Sequence, residues 1–200
     1  MMISLAIYSI PFAFTERYFY PTYWEPDFLW NLVEIFGFGI EDLIFVIGLS
    51  GFSSTVYAVV FQKRLYPIKQ KNYTPSFILI LLFLIITLAV LIFVYLEIHL
   101  IYGAPALMFF LYLGISIKRK DLLFPGIIGG ILSCLVYTLL CYAIFLIYPN
   151  IFEITWHTEK FLNLKLFFIP IEELIYSFTS GCVATVFYPV VYQTAFKNFE

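Results

Sequence analysis

The stretch from Phe77 to Tyr95 carries no charge and, besides Thr87, almost no polar side chain. Most of the other apolar stretches also come near or above the roughly 18 to 20 residues that cross a hydrocarbon core as a helix. Runs of this kind leave few choices. In lipid a backbone must satisfy its own amides and carbonyls, and a helix does so within one segment. A soluble fold would need many helices that are apolar all round, more than a domain this small can bury. The chain is therefore read as an all-α integral membrane protein, one domain over residues 1–200. Its composition agrees: 62% of residues are apolar and 12% charged, about half the usual charged share, and the mean hydropathy is +0.96.

Turn residues and charges divide the chain into about six expected spans. The first runs from about Met1 to Phe14, as a spanning or half-spanning helix with a kink expected at Pro11. It lacks the basic n-region and small-residue cleavage site of a signal peptide. An aromatic and acidic segment follows, with Glu16, Tyr20, Trp24, Glu25, Trp30 and Glu34, suited to headgroup level. The remaining spans are expected near 39–62, 77–95, 103–117, 125–147 and from Pro170 onward. Gly126, Gly129, Gly130 and Ser133 sit at spacings that allow a close helix approach. With both termini cytoplasmic, Lys63, Arg64, Lys69, Lys71, Lys118, Arg119, Lys120 and Lys197, eight of the eleven basic residues, fall on the inner side. The protein is expected to be a multi-pass protein of the cell membrane. A net charge of −2 offers no basic surface for nucleic acid. Cys134, Cys141 and Cys182 lie inside apolar spans without a CxxC, as small packing side chains.

Two stretches repeat. Gly39-Ile40-Glu41-Asp42-Leu43-Ile44-Phe45 aligns with Pro170-Ile171-Glu172-Glu173-Leu174-Ile175-Tyr176 at a spacing of 131 residues. The register continues without a gap, setting Tyr57 on Tyr188, Val59-Val60 on Val190-Val191 and Gln62 on Gln193. Upstream, Tyr20-Pro21 with Trp24 parallels Tyr148-Pro149 with Trp156. The reading is an internal parallel duplication, with a first copy at 1–75, connecting helices at 76–122 and a second copy at 123–200.

Acids in a first helical turn suit the positive end of the helix dipole, and Pro suits the first helical position. That accounts for one such acid. Two pairs in the same setting, each leading more than twenty mostly apolar residues, point further, because carboxylates at the hydrocarbon edge usually face a bundle interior or a cavity. A neutral carboxyl there can donate a proton to an apolar substrate, and its neighbour can accept one. Glu41, Gly48, Thr55 and Gln62 are expected broadly on one face of their helix. The second copy offers Tyr176, Ser180, Ala184 and Tyr188 beside its acids.

The doubled acid-led helix start behind a Trp-bearing aromatic loop resembles the lycopene cyclase domain of membrane carotenoid cyclases in its fused, two-copy form. The likeness covers roughly 9–61 and 137–193 and is most specific at Pro170-Ile171-Glu172-Glu173. The first copy departs from it, with Gly39 in place of proline and Asp42 in place of the second Glu. The resemblance implies a redox-neutral, proton-initiated cyclisation of a lycopene-like end group. Glu172, Glu173, Glu41 and Asp42 would be the acid–base residues. Trp24, Trp156, Tyr176 and Phe45 would line the substrate. The partners would be a long isoprenoid or carotenoid and the bilayer, and a homo-oligomer is compatible with the sequence. No cofactor and no metal are expected: there is no G-x-G-x-x-G, and His99 and His157 lack helical ligand spacing.

Two other classes stay open: a hydratase that quenches the same cation with water, and a non-catalytic carotenoid- or lipid-binding protein. A glutamate-dependent prenyl protease fits less well, since Ser177 stands where it would need Arg. A retinal pump would need a mid-helix lysine, which the spans lack.

Overall fold

The computed structural model describes residues 1–68 and 73–198. Lys69 and Lys71, counted above among the inner basic residues, lie outside them. The chain opens with α1 (Met2–Ser9), which passes at Ile10 into a 3-10 segment ending at Tyr18. A short α2 (Leu32–Phe36) precedes α3 (Ile40–Val60). Then come β1 (Lys63–Pro67), α4 (Pro75–Tyr95), α5 (Leu100–Lys118) and α6 (Leu123–Ile147). A short α7 (Ile151–Thr155) and the hairpin strands β2 (Lys165–Leu166) and β3 (Ile169–Pro170) lead into α8 (Ile171–Val191) and β4 (Thr194–Asn198). This is an all-α membrane protein with very little strand.

Five helices among the described residues are long and apolar enough to cross a membrane: α3, α4, α5, the segment containing α6, and α8. The sixth expected span is not one of them. An eight-residue helix such as α1 rises only about 12 Å, well short of a core about 30 Å thick. The expected kink at Pro11 takes the form of a change from α to 3-10 geometry beside a residue that has no N–H to give. The segment runs antiparallel to α3 along its first half. Phe14 packs on Phe38 with ring centroids 4.6 Å apart, the Ser9 hydroxyl donates to the Val46 carbonyl at 3.0 Å, and Met2 faces Gly51.

The bundle is closed at both ends by backbone pairing. At one end β1 and β4 are antiparallel, with Leu65 opposite Phe196 at the centre of the register. At the other, Trp24 and Trp156 form an antiparallel bridge, in which the Glu25 N–H donates to the Thr155 carbonyl at 2.8 Å and the His157 N–H to the Tyr23 carbonyl at 2.9 Å. Helices α3 and α8 therefore run parallel. Each is 21 residues long, and each is followed two residues on by a Gln with positive φ, Gln62 at 49° and Gln193 at 50°, which turns the chain into its strand. Gln62 thus lies beyond α3 and does not share a helical face with Glu41. Lys63, Arg64, Lys118, Arg119, Lys120 and Lys197 all gather at the strand-paired end, where Arg119 donates to the Thr194 carbonyl at 2.8 Å.

Small residues set the tightest interface. Gly129, Gly130 and Ser133 of α6 are buried against Gly181, Cys182 and Thr185 of α8, as their spacing indicated. By contrast α4 has no buried residue, as its composition implied. A Cβ at Gly130 would stand 2.5 Å from the Cys182 sulfur and 2.7 Å from the Phe178 carbonyl oxygen. Gly130→Ala is therefore expected to destabilise the bundle by about 1–3 kcal/mol, read as a lower thermal midpoint in detergent.

Candidate acid–base site

Ile171 begins α8 directly after Pro170, and its N–H is taken by the Leu164 carbonyl at 2.9 Å. This fixes the first turn, and with it the directions of Glu172 and Glu173. Glu173 turns toward α6 and the Trp bridge, where Oε2 accepts from the Tyr137 hydroxyl at 2.6 Å and Oε1 from the Trp156 indole N–H at 3.0 Å. Glu172 is 2% exposed. Its Oε1 accepts from the Leu162 N–H at 3.1 Å, while Oε2 is buried without a hydrogen-bond partner among the described residues. The buried Tyr23 hydroxyl is likewise unpartnered.

In the first half Glu41 plays the part of Glu172. Its Oε1 accepts a loop amide, Leu29 N–H at 2.7 Å, and its Oε2 is buried and unpartnered. Asp42 does not play the part of Glu173. It accepts from the Gly39 N–H at 2.7 Å and caps its own helix. The Trp24 indole N–H instead donates to Glu16 Oε1 at 2.5 Å. Trp24 and Trp156 stand side by side, centroids 5.4 Å apart, so two indole–carboxylate pairs meet back to back at the bridge.

Below them lies an apolar cavity of about 210 Å³ bounded by residues of α1, α3, α4, α5 and α8. Tyr176 and Phe45 line it, as do Phe19, Phe93, Met108 and Val190. Along α8 it reaches from Tyr176 to Val190, about 21 Å at 1.5 Å per residue. Phe19 and Tyr176 meet edge to face at 6.4 Å at its upper end, in the same apolar cluster as Trp24 and Trp156. The two tryptophans are not in its wall; they hold carboxylates behind it. Tyr176 lies one turn from Glu172 and Glu173, so both acids stand one turn beyond the cavity's α8 wall.

Burial dominates the electrostatics outside the spans. Glu16 is pushed up to about 8, first by desolvation and then by the charge of Asp42, with Glu173 adding to the rise and the Trp24 N–H opposing it. Tyr23 is pushed above its ordinary value by burial and by Glu173 and Glu172. Burial lowers His99, whose Nδ1 accepts the Ile101 N–H at 3.2 Å at the start of α5. Among the described residues no three His, Cys, Asp or Glu side chains are grouped to hold a metal ion.

Sequence reasoning singled out the four acids and both tryptophans. It missed Glu16 and Tyr137 as partners. Glu16 sits eight residues before Trp24 among other interfacial residues, and Tyr137 lies 36 residues before Glu173 inside a span. No motif spacing marks either one; they are recruited by the packing of neighbouring helices.

Residues 99–191, a little under half the chain, match the family model described as lycopene cyclase. The matched stretch holds α5, α6 and α8 and includes Tyr137, Trp156, Glu172 and Glu173. No curated protein and no solved structure matches the chain.

Glu16 binds its proton more tightly in the folded chain than in the unfolded one, where a carboxyl titrates near 4.5. Its contribution to stability is thus complete below that value and is lost as pH rises through about 8. The thermal midpoint in detergent should fall across that window, and Glu16→Gln should flatten the fall.

Proposed function

We propose, from the lycopene cyclase family segment at residues 99–191, that the protein cyclises the end group of a lycopene-like carotenoid within the membrane. The observation that carries this reading is Glu173, held by Tyr137 and Trp156 one turn before Tyr176, which lines a long apolar cavity. A linear polyene has no polar group to recognise, so its site must be an apolar slot that ends at acid–base chemistry.

The reaction is an isomerisation. A carboxylic acid adds a proton to the terminal double bond and leaves a tertiary cation. A nearby double bond attacks that cation, which forms the ring's carbon–carbon bond and moves the charge into the ring. A carboxylate then removes a ring proton, so atoms and electrons balance with no oxidant. Water must be kept from the cation, and the apolar walls with the Phe19–Tyr176 pair serve that end. Glu172, with one buried oxygen free of partners, and Glu173 are the acid–base residues of the second half. Glu41 and Asp42 stand at the corresponding place in the first.

The same proposal includes the duplication. The matched lengths of α3 and α8, the matched turns at Gln62 and Gln193, and the pairing of Trp24 with Trp156 and Leu65 with Phe196 support two parallel copies about an axis along the bundle. It also includes a cell-membrane location with the basic, strand-paired end cytoplasmic.

In a lycopene-accumulating host, expression of the chain is expected to yield cyclic carotenoid by chromatography. Glu173→Gln and Glu172→Gln should each lower it by about 100-fold or more at equal membrane levels. Hydroxylated open-chain product would identify a hydratase. Unchanged lycopene beside folded protein would point to a carrier.

A further inference from the structure

The first half contributes a carboxyl group to the bridge, and it is not the one in its motif. Asp42 is occupied by the Gly39 amide of its own helix start. The group facing Trp24 as Glu173 faces Trp156 is Glu16, which arrives from the 3-10 segment packed antiparallel on α3. Glu16 is 8% exposed. It stands between Thr15 and Phe19, both in the cavity wall, and its backbone carbonyl accepts from the Phe19 N–H at 2.8 Å. Phe19 in turn meets Tyr176 across the cavity's upper end. Two carboxyl groups, one from each half, therefore stand behind the wall at the cavity's upper end: Glu16 beside Thr15 and Phe19, and Glu173 one turn before Tyr176.

The two are held differently. Both oxygens of Glu173 receive hydrogen bonds from neutral donors, an arrangement that leaves it as a pure acceptor. Glu16 receives one hydrogen bond, at Oε1, and no bond among the described residues reaches Oε2. A carboxylic acid needs one oxygen free to carry its proton; Glu41 and Glu172 also have one, but they are held by loop amides, and of the three Glu16 alone is held by a tryptophan of the bridge, opposite Glu173 and Trp156.

Resting on the cyclase reading above, we propose that Glu16 is the proton donor to the terminal double bond and that Glu173 is the base that removes the ring proton. The proton leaves Glu16 Oε2 for the alkene, the ring closes, and a ring proton passes to Glu173. Transfer back to Glu16 through solvent at the bundle's mouth restores both groups. The burial and neighbouring charges that hold Glu16 protonated through neutral pH agree with this role. The acid thereby comes from the half whose motif departs from the resemblance, which accounts for a first copy that keeps Asp42 only as a cap.

The test compares wild type, Glu16→Gln, Glu16→Asp and Glu173→Gln in the lycopene-accumulating host. Gln keeps an acceptor for the Trp24 N–H but has no proton to give. Glu16→Gln is expected to accumulate normally, bind lycopene, and make about 100-fold less cyclic product, whereas Glu16→Asp keeps about a tenth of the activity or more. Cyclic product at the wild-type level from folded Glu16→Gln would overturn the proposal and leave the cyclase reading standing. Absence of cyclic product from wild type would remove both. Infrared spectroscopy of purified wild type supplies a readout that does not depend on the Gln variant folding. A protonated carboxyl band at pH 7 that moves in Trp24→Phe supports Glu16 as the acid, and a spectrum without such a band overturns it.

Discussion

A backbone amide or carbonyl left without a partner in hydrocarbon costs several kcal/mol, so a chain that lives there must confine its irregular segments to the membrane's two faces. Everything else in this bundle follows from how those segments are satisfied. At one face β1 and β4 pair with each other; at the other the Trp24 and Trp156 segments exchange two amide–carbonyl bonds. These pairings tie the ends of α3 and α8 at matching heights. The polar starts of both helices are thus brought to the same face, and the close glycine contacts of α6 with α8 hold the depth between them.

That arrangement makes buried acids tolerable. Glu16, Glu41, Asp42, Glu172 and Glu173 each have at least one donor: loop amides for Glu41 and Glu172, a helix-start amide for Asp42, indoles for Glu16 and Glu173. The donors are neutral. No Lys or Arg is paired with these acids in the hydrogen bonds and ion pairs described, so their charge is not cancelled by a salt bridge. A site of this kind can hold and move protons, whereas a salt-bridged one would fix its carboxylates in the ionised form.

Helices α3 and α8 have the same length and differ in the chemistry of their first turns. Glu41 and Glu172 keep the same partner type and the same unpartnered oxygen. Asp42 is one methylene shorter than Glu173, and it stays with Gly39 on its own helix. Pro170, at the position of Gly39, has no N–H to offer, so Glu173 is not drawn into an equivalent cap. A one-carbon difference and a missing amide proton thus hold Asp42 on its own helix and leave Glu173 to Tyr137 and Trp156.

Local composition determined what could be read from the chain alone. Apolar run length gave the membrane and four of the five spans nearly to the residue, because helix formation in lipid depends on one segment's own content. Helix-start chemistry marked Glu41, Asp42, Glu172 and Glu173, and the glycines of α6 announced a close approach, since both are properties of neighbours in sequence. Of the two reaches expected for the first helix, spanning or half-spanning, the shorter is the one found, and hydropathy does not report that α1 lies against α3 with Met2 at Gly51 and Ser9 at Val46. The pairing of Glu16 with Trp24 and of Tyr137 with Glu173 was decided by tertiary structure alone. Those partners are set by which helices pack side by side and at what height, and no local pattern in the sequence carries that information.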